Sequence, residues 1–544
     1  MMRAYIRLGL LVAAVGAMLV AGAGMGASPA TTERVSVDSA GSEANSLSVS
    51  PAISADARYV AFQSEASNLV AGDTNGVGDV FVHDRQTGIT ERVSVDSAGS
   101  EGNVSSTLPA ISADGRYIAF ESMASNLVAA DTNGIEDIFV HDRQTGVTER
   151  VSVDSAGSEV NGPSYDPAIS ADGRYVAFPS DASNLVPGDT KTCTTWLNPG
   201  QCRDVFVHDR QTGVTQRLSV DSAGNEGDGH SQEPAISADG RYVAFSSIAS
   251  NLAPGDADDY IDVFVHDRDT DGDGIFDEAG AIATELVKAE GHGHTLHPAI
   301  SADGRYIALF SELAGSMSCQ PPGYGTGEGY EGCSDVFVHD RQTGVTERVS
   351  VSSSGSLGNG HSQAPSISSD GRYVAFDSYA SNLMPDDTRD RDIFVHDRQT
   401  GVTEQVSVDS AGNQANNDSY YPAISGDGRY VAFGSIASNL VLDDTNDVQD
   451  VFVHDRGEAP APTPTPTQGH LTVCPEARKW AISVWDGPSG TATGDALTTC
   501  ADVSIDAVYW LDPATQRWWR YFPGLDISDL LTLDAHQPII VRGR

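Results

Sequence analysis

The chain has 544 residues, of which 39% are hydrophobic and 20% charged, so its composition is that of a folded protein rather than a disordered one. Asp and Glu number 76 against 32 Lys and Arg, which gives a formal net charge of −44. A field of this sign repels phosphate backbones and excludes nucleic acid as the expected partner, whereas it favours divalent cations or cationic partners. The 55 glycines fit a turn-rich, all-β chain better than a helical one.

Residues 1–30 have the pattern of a secretory signal peptide. Arg3 and Arg7 form a positively charged start, residues 8–20 are an apolar run, and small residues follow up to Ala30. An uncleaved membrane anchor is the alternative interpretation. No later segment is apolar enough to span a bilayer, so no transmembrane span is expected after signal removal. The sequence therefore predicts a secreted or cell-envelope protein.

Six cysteines occur in three pairs that are close in sequence. Proximity favours three local disulfides among the fifteen possible pairings, and export to an oxidising compartment agrees with them. A metal site would need closer spacing and histidine partners. The predicted disulfides are Cys193–Cys202, Cys319–Cys333 and Cys474–Cys500.

A repeat of about 58 residues organises most of the chain. The string D-[VI]-F-V-H-D-R occurs seven times, and two of the units carry insertions. Each unit predicts four strands: P-A-I-S, then R-Y-V-A-F after an Asp-Gly turn, then D-V-F-V-H-D, then T-E-R-V-S-V-D. Seven repeats of a four-stranded unit indicate a seven-bladed β-propeller.

The two ends of the repeat region predict how the ring closes. Residues 31–41 read T-T-E-R-V-S-V-D-S-A-G, a fourth strand with no blade before it, and the seventh unit stops at Arg456 without a fourth strand. The N-terminal strand would complete the last blade and leave no free sheet edge. Residues 31–456 are therefore predicted to form one closed propeller.

The blades resemble the TolB-like propeller repeats, which carry a similar S-x-D-G-[KR]-x-[IV]-A-F string. The match covers residues 31–456, with departures at Ala57 and Leu309. The resemblance implies a propeller of secreted bacterial type. It leaves function open, because such blades occur in binding modules, in accessory domains of peptidases and in some lyases.

Residues that recur in every blade are interpreted as scaffold. The histidine of the H-D-R string would serve packing or hydrogen bonding between blades, and the Asp of each Asp-Gly turn would cap its own backbone. The recurring D-T-N-G-x-x-D segment is more open. Asp73, Asn75 and Asp79 offer oxygen ligands to a cation, or they form an Asx turn that leads into a strand.

One insertion has the pattern of a calcium loop. After the fourth H-D-R string, the chain reads D-T-D-G-D-G-I-F-D-E, with acidic residues at positions 1, 3, 5 and 9 and a glycine at position 6. Position 12 is Gly280, so the pattern resembles the loops of dockerin or thrombospondin type 3 repeats more than a full EF-hand. A solvated acidic turn is the alternative. The predicted structural calcium site comprises Asp269, Asp271, Asp273, Asp277 and Glu278.

Five histidines lie in the variable loops that lead into P-A-I-S of blades 4, 5 and 6, outside the recurring strings. Neutral imidazoles from neighbouring blades could bind Zn, Mn or another transition ion. Oligogalacturonate lyases are similar in general plan, although their full motif is not evident and no residue role is carried over. Ordinary polar loops are the alternative. These histidines are His230, His292, His294, His297 and His361.

Aromatic residues supply the candidate binding surfaces. Insertions at 190–203 and 316–334 carry Trp196, Tyr324 and Tyr330, which would form a contact surface or merely fill the loops. Residues 457–469 alternate Pro and Thr and predict a semi-rigid linker. Residues 470–544 hold five of the six tryptophans, including Trp518 and Trp519, and predict a small β-rich, disulfide-stapled module. Its aromatic residues would build a core or stack on sugar rings.

Near-identical blades leave little sequence for catalysis, so the sequence favours a binding protein over an enzyme. We expect a secreted, monomeric propeller that binds a protein or carbohydrate ligand and is stabilised by calcium. A purely structural envelope component is a second hypothesis. The enzymatic alternative is a metal-dependent polysaccharide lyase that would use the five histidines at the mouth of the propeller channel.

Overall fold

The computed structural model describes the chain in two parts. Ser28–Gly457 is one compact unit, and the strands beyond it are considered separately. No helix that is long and apolar enough to cross a membrane occurs among the described residues. The described residues are 30–129, 131–193, 200–256, 260–287, 293–312, 334–385, 387 and 390–457, with short strands between 480 and 543.

Seven antiparallel four-stranded sheets form the blades of a propeller, as the repeat predicted. Blade 1 comprises β2 (Ser48–Ile53), β3 (Tyr59–Ser64), β4 (Asp79–Asp84) and β5 (Ile89–Arg92). Blade 2 comprises β6 (Ser106–Ile111), β7 (Tyr117–Ser122), β8 (Asp137–Asp142) and β9 (Val147–Arg150). Blade 3 comprises β10 (Ala168–Ile169), β11 (Tyr175–Ser180), β14 (Asp204–Asp209) and β15 (Val214–Arg217), with an inserted hairpin of β12 (Thr192–Cys193) and β13 (Gly200–Gln201).

The remaining blades repeat this order. Blade 4 comprises β16 (Ser231–Ile236), β17 (Tyr242–Ser247), β18 (Asp262–Asp267) and β19 (Ala283–Val287). Blade 5 comprises β20 (Thr295–Ile300), β21 (Tyr306–Glu312), β22 (Ser334–Asp340) and β23 (Val345–Arg348). Blade 6 comprises β24 (Ser362–Ile367), β25 (Tyr373–Ser378), β26 (Asp392–Asp397) and β27 (Val402–Gln405). Blade 7 comprises β28 (Ser419–Ile424), β29 (Tyr430–Ser435), β30 (Asp450–Asp455) and the N-terminal β1 (Thr31–Arg34).

The N-terminal strand closes the ring, which confirms the prediction. β1 pairs antiparallel with β30, and Thr32 lies opposite His454. A cycle of seven backbone hydrogen bonds joins the Asp-Gly turns of successive blades, from Ala55 N donating to Ala113 O at 3.0 Å to Gly426 N donating to Ala55 O at 3.0 Å. The first strand of each blade contacts the first strands of both neighbouring blades, so these strands are innermost.

Apolar residues of the second and third strands fill the space between blades. Phe62 of β3 and Phe81 of β4 stack with their ring centroids 6.0 Å apart, and both are fully buried. They pack against Val451 and Val453 of blade 7. The alternation of β-branched and aromatic residues in both strands therefore places apolar side chains on both faces of each sheet.

The recurring polar residues hold the blades together. His83 Nδ1 lies 2.9 Å from Thr90 Oγ1 in the same blade, and the Thr90 hydroxyl donates to Val37 O at 2.5 Å in the preceding connection. Arg85 donates to Glu33 at 2.5 Å and stacks over Tyr430 of blade 7, with its guanidinium carbon 4.6 Å from the ring centroid. The histidine bond thus lies within a blade, and the arginine, rather than the histidine, makes the direct contact between blades.

Two strand boundaries differ from those predicted. The fourth strand ends at Arg92, because the chain then turns at Asp96, whose carboxylate accepts the N–H groups of Ala98 and Ser100 at 2.8 Å. The first strand begins at Ser48, ahead of the predicted P-A-I-S string. This earlier start adds three residues to the innermost strand in six blades, whereas β10 of blade 3 is only Ala168–Ile169.

Cys193 and Cys202 form the predicted disulfide beside the hairpin of blade 3. The other four cysteines, Cys319, Cys333, Cys474 and Cys500, lie outside the described residues. Beyond Gly457, one sheet has the order β31 (Trp480–Val484), β36 (Pro538–Gly543), β33 (Ile505–Asp512) and β34 (Arg517–Tyr521). A second pair joins β32 (Thr491–Ala492) and β35 (Thr532–Leu533).

Candidate functional site

The innermost segments share the string [ST]-x-x-P-[AS]-I, in which only the two central residues vary freely from blade to blade. In six blades the whole string is a strand, and in blade 3 only Ala168–Ile169 is. We call the fourteen central residues the variable ring. The predicted strand starts only at P-A-I-S and so omits these pairs, although the recurring Ser or Thr and Pro on either side of each pair are visible in the sequence. In blade order the pairs are Val49-Ser50, Thr107-Leu108, Tyr165-Asp166, Gln232-Glu233, Leu296-His297, Gln363-Ala364 and Tyr420-Tyr421.

The second residue of each pair has the same unusual backbone conformation. Its φ is positive in all seven blades, between 36° and 54°, and none of these residues is glycine. In six blades the pairing register shifts at this point, as in a β-bulge. Bulges re-aim side chains, and positive φ is costly for most residues. Seven different side chains are therefore presented from one repeated and strained backbone.

Acidic side chains connect the variable ring across blades 2 to 5. The Asp166 N–H donates to Glu121 Oε2 of the preceding blade at 3.2 Å. The His297 N–H donates to Glu233 Oε2 at 2.9 Å, and His297 Nε2 lies 3.4 Å from Glu233 Oε1. Three carboxylates from three consecutive blades thus face one part of the innermost surface.

The acidic side of the ring has perturbed protonation. Burial, with the neighbouring Glu233 and Glu121 carboxylates, raises the pKa of Asp166 to about 6. Burial also raises the pKa of Glu121, although the hydrogen bond from the Asp166 N–H lowers it in part. Like charges in a partly desolvated site disfavour one another until a cation neutralises them. The arrangement suits a positively charged group.

An arginine and two tyrosines occupy the side of the ring at blades 6 and 7. Arg391 donates to Asp377 Oδ1 from Nε at 2.8 Å and from Nη2 at 2.7 Å. The Arg391 guanidinium carbon lies 5.0 Å from the centroid of the Tyr420 ring, and the Tyr421 N–H donates to Asp377 Oδ2 at 3.3 Å. Tyr421 is 54% exposed, so a large aromatic face remains available here.

The predicted histidines have hydrogen-bonding roles at the start of the first strands. Nδ1 of His230, His294 and His361 accepts a backbone N–H at 2.9, 2.8 and 3.2 Å, from Arg203, Ile261 and Ser334 respectively. His297 belongs to the variable ring rather than to a loop, and His292 lies outside the described residues. Among the described residues, the groups of three potential metal ligands contain no histidine. The transition-metal site stays a prediction.

The predicted calcium loop is partly assembled. Ligand oxygens of Asp269, Asp271 and Asp273 lie within 4.8 Å of one another. Asp277 is not part of this group and pairs with Arg268, whose Nη2 is 2.6 Å from Asp277 Oδ2. Glu278 is exposed. Three of the five predicted ligands therefore converge, and Asp277 serves an ion pair.

The D-T-N-G-x-x-D segments surround an arginine in several blades. Nη1 of Arg92 lies 3.4 Å from Asp73, 3.1 Å from Asp79 and 2.8 Å from Glu101. Asn75 forms the Asx turn, because its Oδ1 accepts the Val77 N–H at 3.1 Å. In this blade a guanidinium therefore lies among the oxygen ligands that the sequence indicated as a possible metal site.

Two of the five aromatic residues predicted to bind a ligand lie on a described strand. Trp196, Tyr324 and Tyr330 lie outside the described residues. Trp518 and Trp519 lie on β34, opposite Leu511 and Trp510 of β33 in the strand register. Their part in ligand binding stays a prediction.

Comparison with known proteins gives similarities of fold. No family model and no curated protein matches the chain. TolB from Acinetobacter baumannii is similar at 16% identity and TM-score 0.34, over 66% of this chain and 62% of that one, so the match spans less than two thirds of that protein. An oligogalacturonate lyase in complex with manganese is similar at 13% identity and TM-score 0.43, over 78% and 90% of the two chains.

The β-propeller domain of the Trilobed protease from Pyrococcus furiosus is similar at 12% identity and TM-score 0.44, over 75% of this chain and 93% of that one. Such similarities extend to the fold alone, and the bound manganese belongs to the lyase. The strand pairing described above, rather than these similarities, establishes seven blades. The seven-bladed β-propeller that the resemblance to TolB-like repeats implied is therefore confirmed.

Proposed function

We propose that the protein is a secreted, non-enzymatic binding module whose variable ring contacts a protein partner. The observation that carries this proposal is the contrast within one string: the flanking Ser or Thr and Pro recur in every blade, whereas the two residues between them differ. Scaffold requirements are equal in all blades, so they give no reason for that variation. Ligand recognition would explain the variation, because a ligand needs a different contacting group at each point around the channel.

The partner's contacting group is a cation, such as a Lys or Arg side chain. Glu121, Asp166 and Glu233 supply the negative side of the ring, and the net charge of −44 would steer a basic partner toward it. Exposed Tyr421 offers an apolar and hydrogen-bonding contact on blade 7. A monomer in an extracytoplasmic compartment agrees with the closed ring and with the Cys193–Cys202 disulfide.

Calcium would stabilise blade 4 through Asp269, Asp271 and Asp273. Their carboxylate oxygens are the hard ligands that calcium prefers, and water or backbone carbonyls would complete the coordination. The Asp269 carboxylate also accepts N–H groups of Gly272, Asp273 and Gly274, which fixes the loop around the cluster.

The test is isothermal titration calorimetry with a short oligolysine peptide. Asp166→Asn keeps a side chain that tolerates positive φ but removes the charge, so the affinity should fall about tenfold. Because the pKa of Asp166 is about 6, acidification from pH 7.5 to 5 should weaken binding to the parent protein, and this part of the pH dependence should disappear in the variant.

Asp443→Asn is the matched control, since it removes one exposed carboxylate away from the innermost strands and should leave affinity unchanged. Equal affinity of the parent and Asp166→Asn would contradict the proposal. Tight binding of a neutral oligosaccharide that Tyr421→Ala abolishes and Asp166→Asn does not would instead identify a glycan as the ligand.

A further inference from the structure

One acidic cluster recurs on the blades, and an arginine of the fourth strand neutralises it. In blade 2, Arg150 Nη1 lies 3.4 Å from Asp131, 3.2 Å from Asp137 and 2.9 Å from Glu159. The corresponding arginine lies among three carboxylates in three further blades, as Arg92, Arg217 and Arg34. A guanidinium is therefore the usual cation at this place in the sheet.

Blade 6 lacks both the arginine and the glutamate. Gln405 lies opposite Phe394 in the strand register, as Arg150 lies opposite Phe139. Gln414 bridges to Val408 as Glu159 bridges to Val153. The two aspartates remain, as Asp387 and Asp392. Blade 4 also lacks the arginine, with Leu286 at its register, but Asp256 and Asp262 there have other contacts.

Asp392 is fully buried and incompletely bonded. Its Oδ1 accepts the Ser407 hydroxyl at 2.6 Å, whereas its Oδ2 has no hydrogen-bond partner. The equivalent oxygen in blade 2, Asp137 Oδ2, accepts hydrogen bonds from Asn133 at 3.3 Å and Arg150 at 3.2 Å. Asp387 Oδ1 is likewise buried without a hydrogen-bond partner.

Two such carboxylates are costly without a counter-charge. A buried carboxylate must pair, take up a proton or bind a metal ion. The two glutamine substitutions keep the formal charge of the cluster at −2, since one Glu and one Arg are lost together.

We propose that blade 6 binds a calcium ion where the other blades hold a guanidinium. Asp387 Oδ1 and Asp392 Oδ2 are its protein ligands, and water molecules complete the coordination. These are hard oxygen donors, and two carboxylates balance a divalent charge. Gln405, which is neutral, donates to Ser407 Oγ at 3.3 Å through Nε2, so it supplies no counter-charge to the two carboxylates.

The test counts calcium per chain in the full-length secreted protein after treatment with EDTA, desalting and titration with CaCl2. Asp271→Asn removes the separate calcium loop of blade 4 and isolates the blade 6 site. In that background, Gln405→Arg recreates the ion pair of blades 1 to 3, so it should fold and abolish the remaining stoichiometric calcium. Gln399→Arg adds the same charge at an exposed turn of blade 6 and should leave calcium binding intact.

Thermal unfolding provides the second readout. Calcium should raise the melting temperature of the Asp271→Asn protein but not of Asp271→Asn/Gln405→Arg. Retention of one calcium by the double variant, or absence of calcium from the Asp271→Asn protein, would overturn the proposal. If the parent binds a single calcium that Asp271→Asn spares and Gln405→Arg removes, the blade 4 loop fails as a site and the blade 6 site stands.

Discussion

At the scale of the residue, buried arginines explain why so acidic a chain can pack its blades. Arg150 is 9% exposed at its side chain, and Asp137 beside it is fully buried. The guanidinium fits several carboxylates at once because its donors spread in one plane. Arg116 in the same blade makes a bidentate pair with Asp142, but its side chain is 34% exposed. The two arginines form comparable bonds in different solvent environments.

Substitution of Arg150 by Gln should lower the free energy of unfolding by about 3 kcal/mol, because it leaves Asp131 and Asp137 without their cation in a buried cluster. Arg116→Gln should cost less, since Arg116 is 34% exposed and Asp142 keeps the hydrogen bonds from the Gln144 N–H and the Thr145 hydroxyl. Urea unfolding of both variants at pH 7 measures the difference. Equal losses would mean that burial does not set the strength of these pairs.

The oxygen ligands of this cluster could be predicted from the sequence, but the arginine at its centre could not. Asp131, Asn133 and Asp137 follow one another in a recognisable string, whereas Arg150 enters only through the pairing of β8 with β9. The same limit applies to His230, whose ring accepts a backbone N–H from the neighbouring blade. The partner of a residue on the neighbouring strand depends on the pairing register, and a local sequence pattern does not determine that register.

At the scale of the element, the third strand of each blade carries a histidine whose tautomer is fixed by its neighbours. The Thr32 hydroxyl donates its single proton to Val408 O, so the 2.8 Å contact with His454 requires Nδ1 of the ring to be the donor. Burial lowers the pKa of His454 to about 4. The strand is therefore built around a neutral imidazole.

This strand should make the propeller sensitive to mild acid. A free imidazole titrates near pH 6.5, so the unfolded chain takes up a proton at His454 between pH 6.5 and 4 that the folded chain refuses. The free energy of unfolding should fall as pH drops from 7 to 5. His454→Asn should reduce that fall by about 2 kcal/mol in chemical denaturation at the two pH values.

Gln399→Asn is the control for this measurement, because Gln399 is exposed at a turn of blade 6 and has no titratable group. It should leave the pH dependence of stability close to that of the parent. A slope that His454→Asn leaves unchanged would show that the acid sensitivity arises elsewhere.

At the scale of the whole molecule, the sequence specifies the ring more fully than the site. Seven copies of one string, with a spare fourth strand at residues 31–41, determine blade number and closure because each blade buries its faces against the next. The variable ring depends on a bulge between Val49 and Ala52, which the string P-A-I-S does not predict. The repeat therefore predicts the scaffold. The residues that depart from the repeat can be interpreted only when the positions of the strands are known.

Closure by β1 should be separable from folding of the other six blades. A chain that starts at residue 45 lacks the strand that pairs with β30, so blade 7 would have three strands and an open edge. We expect a lower melting temperature and self-association in analytical ultracentrifugation.

A synthetic peptide of residues 30–44 should restore both the monomer and the melting temperature, because it supplies Thr32 and Val35 to blade 7. The same peptide with Val35→Asp should fail, since Val35 is fully buried against Val451 and Val453. A truncated chain as stable and as monomeric as the parent would show that the N-terminal strand does not hold the ring closed.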